Sequence, residues 1–175
     1  VFAIGGGLAI GLPLGLHRFS AEVGEPILVS LYSLPKITLY PVILLVFGLG
    51  LSAKVAFGTI HGLVPVAIFA MNGVLALPPV YGRAARALRL SRWRTLAAVL
   101  APAAVPEIVT GVRIGFSVTL LGVFIGEMFS SQRGLGFLLM NAIGLHDVPT
   151  MLAIILMVGT FAVAANAALL ALEHR

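Results

Sequence analysis

An all-α protein embedded in a membrane is the fold class this sequence predicts, and three observations predict it. Of 175 residues, 60% are hydrophobic and only 10% are charged, whereas a soluble domain carries roughly 25% charged residues. The apolar residues gather into runs of about the length that crosses a bilayer. The basic residues gather in one connection between such runs, the stretch PPVYGRAARALRLSRWRTLAAVLAP from Pro78 to Pro102, which holds no acidic residue. A chain this apolar has too little polar surface to cover a water-soluble globule, so residues 1–175 are read as one transmembrane domain rather than divided by length.

The runs follow in order. Val1 to Leu16 carries Gly5, Gly6, Gly7, Gly11 and Gly15, and small residues let helices approach closely in lipid. It is short of the roughly 20 residues a span needs. The expectation is therefore that the N-terminus is truncated within or before a span. The run opens without a charged segment ahead of it and does not read as a signal peptide. His17 to Glu25 reads as a short polar connection. Pro26 to Leu51 is the second run and contains Pro35, Lys36 and Pro41. Such breakers are tolerated in a membrane where neighbouring helices satisfy the freed backbone groups. Val55 to Leu77 is the third run, Ile108 to Phe129 the fourth and Thr150 to Leu172 the fifth. Between the last two, Ser130 to Pro149 is too polar to span but has an apolar middle, which suits a short helix at the interface. The sequence thus predicts a bundle of about five transmembrane helices, apolar nearly all round.

Orientation follows from the basic residues of short connections. Arg83, Arg86, Arg89, Arg92 and Arg94 place residues 78–105 in the cytoplasm. Alternating spans then put Arg18 and Arg175 on the same side, with a cytoplasmic C-terminus, and leave Lys54 and Arg133 on the other. The formal net charge of +5 is explained by this asymmetry without invoking nucleic acid. Cysteine is absent, which excludes disulfides, thiolate catalysis and cysteine metal sites. His17, His61, His146 and His174 have no ligand spacing, so no metal site is expected. No catalytic residue is assigned. The chain's two lysines, Lys36 and Lys54, do not follow glycine, so the phosphate loop GxxxxGK[ST] is missing.

Within residues 78–105 the sequence reads as two short helices. Val80 to Leu88 is rich in alanine and arginine, both good helix formers. Ser91 is placed to cap Arg92 to Leu100, and Pro102 and Pro106 close the segment. The order RAA-x3-R-x9-V-x-A-P, from Arg83 to Pro102, resembles the EAA loop of ABC-importer inner-membrane permeases, usually written EAA-x3-G-x9-I-x-L-P. Ala84, Ala85 and Pro102 match outright, and Val99 and Ala101 are conservative replacements. Upstream, LPKITLYPVILLVFGLG (Leu34 to Gly50) resembles the nitrate, sulfonate and taurine branch of that family. Downstream, GEMF and RGLGFLLMNA (Arg133 to Ala142) resemble it as well. Arg83 and Arg89 stand where the pattern has Glu and Gly. A turn that uses glycine can demand a positive φ, so Arg89 must find another geometry or accept a cost of about 1 kcal/mol or more.

The resemblance implies a type I ABC-importer permease fold in a bacterial inner membrane, binding no cofactor itself. It implies cytoplasmic ATP-binding subunits that carry the ATP, an extracytoplasmic solute-binding protein and a second permease subunit, as a homodimer. The solute would be a small anion such as a sulfonate, taurine or nitrate. Carried onto this chain, the coupling residues are Arg83, Ala84, Ala85, Arg89, Ser91, Trp93, Arg94, Leu96 and Pro102. Trp93 and Leu96 are the expected apolar knobs for the ATPase cleft. Simpler readings stand beside these. The arginines also serve as a topology signal near anionic lipid, and Trp93 suits an interfacial belt. Lys36, Arg113 and Glu127 lie in or near spans, where charge marks a translocation pathway by default. Each also fits a snorkelling or paired structural role, such as Arg113 with Glu107. Two rival functions fit the composition. A secondary transporter or channel would work without an ATPase and depend on Lys36 or Glu127. A non-transporting scaffold or decayed permease would account for the departures at Arg83 and Arg89.

Overall fold

In a computed structural model that describes residues 1–173, the chain folds into helices joined by short turns. The expected contributions of His174 and Arg175 lie outside the described residues. The chain packs as two compact units. The first comprises Val1–Leu34 and Gly62–Gly115, the second Pro35–His61 and the chain from Phe116 onward.

Helix α1 spans Phe2–Gly15 and α2 spans Arg18–Ser33. The polar stretch read as a connection is therefore mostly helical. Its residues Arg18 and Glu22 lie one turn apart and pair at 3.0 Å. Helix α2 runs through Pro26 and stops at Leu34, whose ψ of 136° is extended, as the residue before a proline prefers. A 3-10 turn, Lys36–Leu39, leads into α3, Tyr40–Phe47, with Pro41 in the first turn, where its missing N–H costs nothing. The second apolar run is thus broken at Leu34–Pro35 rather than continuous.

Helix α4 covers Leu51–Leu75. Then come α5 (Pro79–Ala87), α6 (Arg92–Thr95), a π-helical turn (Leu96–Leu100), α7 (Ala101–Ala103) and α8 (Val105–Ser130). Helix α9 is Leu135–Gly144, the short helix expected between the last two spans, and α10 is Val148–Glu173. Among the described residues three helices, α4, α8 and α10, are long and apolar enough to cross a membrane, and α2 with the Lys36–Phe47 segment makes a fourth if the broken pair is one span. Helix α1 is apolar but only 14 residues long.

The first unit is built on backbone contact. Gly7, Gly11 and Gly15 recur every fourth residue, so they share one face of α1. All three are buried. A methyl group added at Gly11 would fall on the Ala67 carbonyl oxygen of α4, and one at Gly15 would lie 2.7 Å from that of Met71. On α8, Gly111 meets Phe69 and Val66, and Gly115 meets Val66 and the Gly62 carbonyl. Lipid gives apolar side chains no reason to leave it for each other, so such close fit, rather than hydrophobic burial, joins the helices. Around the seam, Ala21 and Leu28 of α2 pack on Val64, Ala67 and Met71.

The second unit has its own core of Tyr40, Ile43, Ala53 and Phe57. Tyr40, Phe57 and His61 stack as a column, with ring centroids 4.7 and 4.4 Å apart. The Tyr40 hydroxyl bonds the Gly126 carbonyl at 2.9 Å and also the Ser130 hydroxyl. Helix α9 packs on α10. Half of the α4 span is buried, against 6% of the α10 span, so α10 leaves nearly all of its apolar surface to lipid or to another chain.

Candidate functional site

The arginine segment forms the two short helices read from the sequence. Pro79 opens α5 in its first turn. The end of α5 is closed by two bonds: the Leu90 N–H donates to the Ala85 carbonyl at 3.0 Å, and the Arg89 N–H to that of Arg86 at 3.0 Å. This is the Schellman closure, which places its C′ residue in the left-handed region and usually selects glycine there. Arg89 occupies that position with φ of 51°. The positive φ inferred from the glycine of the motif is therefore real, and arginine adopts it rather than a different turn. Ser91 caps the next helix, its hydroxyl accepting from the Arg94 N–H at 3.4 Å.

The segment is anchored from within. Ala85 and Leu96 are buried, and Leu96 packs with Val74 and Ala104, flanked by Leu77, Leu100 and Ile108. Leu96 is thus not a knob offered to a partner. It faces inward, against Val74 near the end of α4. Trp93 is 69% exposed, and Arg83, Ala84, Arg89, Arg94 and Pro102 are exposed as well. None of the guanidiniums of Arg83, Arg86, Arg89, Arg92 and Arg94 meets a carboxylate among the described residues. The segment therefore presents five positive charges with no ion-pair partner among the described residues, together with the exposed Trp93.

Of the charges near spans, Lys36 is buried at the start of its 3-10 turn. Arg113 is half-buried on α8 within the first unit. Glu127 belongs to the second unit, where its carboxylate accepts the Gly136 N–H at 3.1 Å and lies against Gly134. That places it at the N-terminus of α9, where backbone donors are unpaired and the helix dipole favours negative charge.

Glu127 also lines a cavity of about 880 Å³ in the second unit, with Leu44, Lys54, Phe129, Ser131 and Arg133 among its walls. Lys54 Nζ donates to Ser131 Oγ at 2.6 Å. Ser131 Oγ in turn donates to the Arg133 carbonyl and accepts the Arg133 N–H at 3.3 Å. Sequence reading missed this cluster. Lys54 and Ser131 are 77 residues apart, and the only available signal was that Lys54 and Arg133 share one predicted side.

A membrane protein that crosses several times and exposes a basic hairpin of this pattern is the class that fold and site define. The sequence profile described as "Binding-protein-dependent transport system inner membrane component" matches residues 3–175, and the chain belongs to that family. It is 31% identical over 97% of its length to the taurine transport system permease protein TauC of Escherichia coli, covering 62% of that protein. It is 29% identical over 92% of its length to the nitrate import permease protein NrtB of Leptolyngbya laminosa, covering 58% of it. To the riboflavin transport system permease protein RibX of Chloroflexus aurantiacus it is 31% identical over 75% of its length, covering 49% of it. The chain thus spans between about half and 62% of the length of these relatives.

Proposed function

We propose that this chain is the membrane-spanning component of an ATP-driven importer for a small anion such as taurine, another sulfonate or nitrate. ATP is bound and hydrolysed by separate cytoplasmic subunits, which grip residues 78–105. A solute-binding protein on the opposite side delivers the anion, and a second permease subunit, an identical copy, completes the pathway. Family membership supports the class. The coupling reading is carried by one observation, the exposed hairpin that carries Trp93 and five arginines with no ion-pair partner among the described residues.

The chemistry of that hairpin suits a handle. Arginine forks match carboxylates on a partner, and a central exposed tryptophan is the residue type that most often dominates an interface. A handle must also be stiff. The bonds at Ala85 and Arg86 and the Ser91 cap fix α5 and α6, and Leu96 ties them to Val74 near the end of α4 and to Ala104 between α7 and α8. A pull on α6 is then passed to two long helices rather than lost in a loop.

Single cysteines test this directly, since the natural chain has none. Trp93→Cys and Arg94→Cys should crosslink to the ATP-binding subunit in the assembled transporter. Crosslinks to lipid alone would overturn the coupling reading. Substrate class rests on the likeness to the taurine and nitrate permeases and is tested by ATP-dependent uptake with taurine, nitrate and riboflavin in competition. Uptake that follows riboflavin and ignores both anions would reassign it.

A further inference from the structure

The cavity of the second unit holds two cations that the handle does not use. Lys54 and Arg133 both line it, and so does one carboxylate, Glu127. That carboxylate is already committed: one oxygen takes the Gly136 N–H at 3.1 Å, and its charge answers the partial positive charge at the start of α9. The lining is therefore left with a positive excess. Lys54 Nζ spends one donor on Ser131 at 2.6 Å, and an ammonium carries three. Ser131 is fixed by the backbone of Arg133, so it is a positioning residue that aims the ammonium. Leu44 and Phe129 supply apolar wall, and a wall of low polarity strengthens any charge attraction beside it.

We propose that this cavity is a receiving site for one small oxyanion, held by the Lys54 ammonium and the Arg133 guanidinium. The volume, about 880 Å³, lies within the range of roughly 300–1,000 Å³ usual for small-molecule pockets. It admits an anion together with some of its water, which suits a site that must release as readily as it binds. Lys54 and Arg133 are also the two basic residues that the charge bias assigns to the face opposite the arginine hairpin, where solute arrives. The substrate class is borrowed from the transport reading; the site itself rests on the cavity.

Binding of radiolabelled sulfate to the detergent-purified, intact protein tests it by equilibrium dialysis, at constant ionic strength set with chloride. Wild type should show saturable binding of one sulfate per chain. Lys54→Gln and Arg133→Gln should each weaken it by about tenfold or more, the loss of one charge-assisted hydrogen bond. Lys54→Arg should retain most of it, and Ser131→Ala should weaken it less than Lys54→Gln. Absence of saturable binding, or equal binding by wild type and both glutamine variants, would overturn the proposal. Arg133 is exposed and its side chain is not part of a core, so Arg133→Gln carries the test if Lys54→Gln fails to fold. The measurement uses no ATPase and no membrane. A failure here leaves the importer reading standing, and sulfate binding survives if ATP-dependent uptake is never seen.

Discussion

Arg89 holds a conformation that an L side chain adopts at a cost of about 1–2 kcal/mol. Arg89→Gly should therefore raise the unfolding free energy of the detergent-solubilised protein by about 1 kcal/mol, read from its thermal midpoint. Arg89→Val, branched next to the backbone, should lower it. His146 closes α9 in the same way, with φ of 54° and bonds from Asp147 and His146 back to Ala142 and Ile143. The following Asp147 caps α10, accepting from the Thr150 N–H at 3.2 Å and its hydroxyl at 2.5 Å. Those two bonds hold its carboxyl below the usual carboxylate value. A lowered folded pKa contributes stability at pH above the unfolded value, and that contribution disappears as pH falls through the folded one. Acid unfolding of wild type and Asp147→Asn should thus differ above the ordinary carboxylate pKa and converge below the depressed one. The Ser91 cap and the special demand on position 89 were legible in the sequence because both are local, one from a serine before a helical stretch and the other from the motif's glycine, but only the structure shows that Arg89 meets that demand with a positive φ. The inward turn of Leu96 was not legible, because in a segment apolar on several sides periodicity does not say which leucine is covered.

Between α6 and α7 the backbone carries a π turn, Leu96–Leu100. A π turn amounts to one extra residue in an α-helix and often marks a functional site. The wider turn absorbs that residue, so deleting Ala97, which is exposed, should let the α-helix run through with Arg92–Thr95 in nearly the same rotational register, whereas adding an alanine after Ala97 should rotate them by about 100° about the helix axis relative to the residues that follow. The expected outcome for the insertion is a folded protein, by circular dichroism and gel filtration, that no longer supports solute-stimulated ATP hydrolysis in the assembled transporter, while the deletion keeps it. Helix α4 was read from Val55 and in fact begins at Leu51. The apolar runs leave residues 52–54 as a connection, whereas the turn is already complete at Gly48, with φ of 73°, and Leu51 opens the helix. Polarity misled again at Arg18–Glu25, where an (i, i+4) ion pair sits on the outside of a helix that composition alone assigned to a connection.

At the scale of the whole molecule, the charge bias makes the firmest forecast. In inverted and right-side-out vesicles, a cysteine at Arg94 should react with an impermeant maleimide only from the cytoplasmic face, and one at Arg133 only from the other. Labelling of both from one face would overturn the topology. The apolar runs were legible because bilayer thickness fixes span length. Their partners were not, since lipid-facing and helix-facing residues are alike apolar and only the glycines betray contact. Those glycines limit how the protein can be repaired after mutation. A side chain at Gly6 would meet the tip of Leu63 at 2.9 Å, so a Gly6→Ala lesion should be cured by a smaller residue at position 63. One at Gly11 meets the main chain of Ala67, which no codon can trim. A suppressor screen should recover revertants of the first lesion readily and, for the second, only restoration of glycine itself.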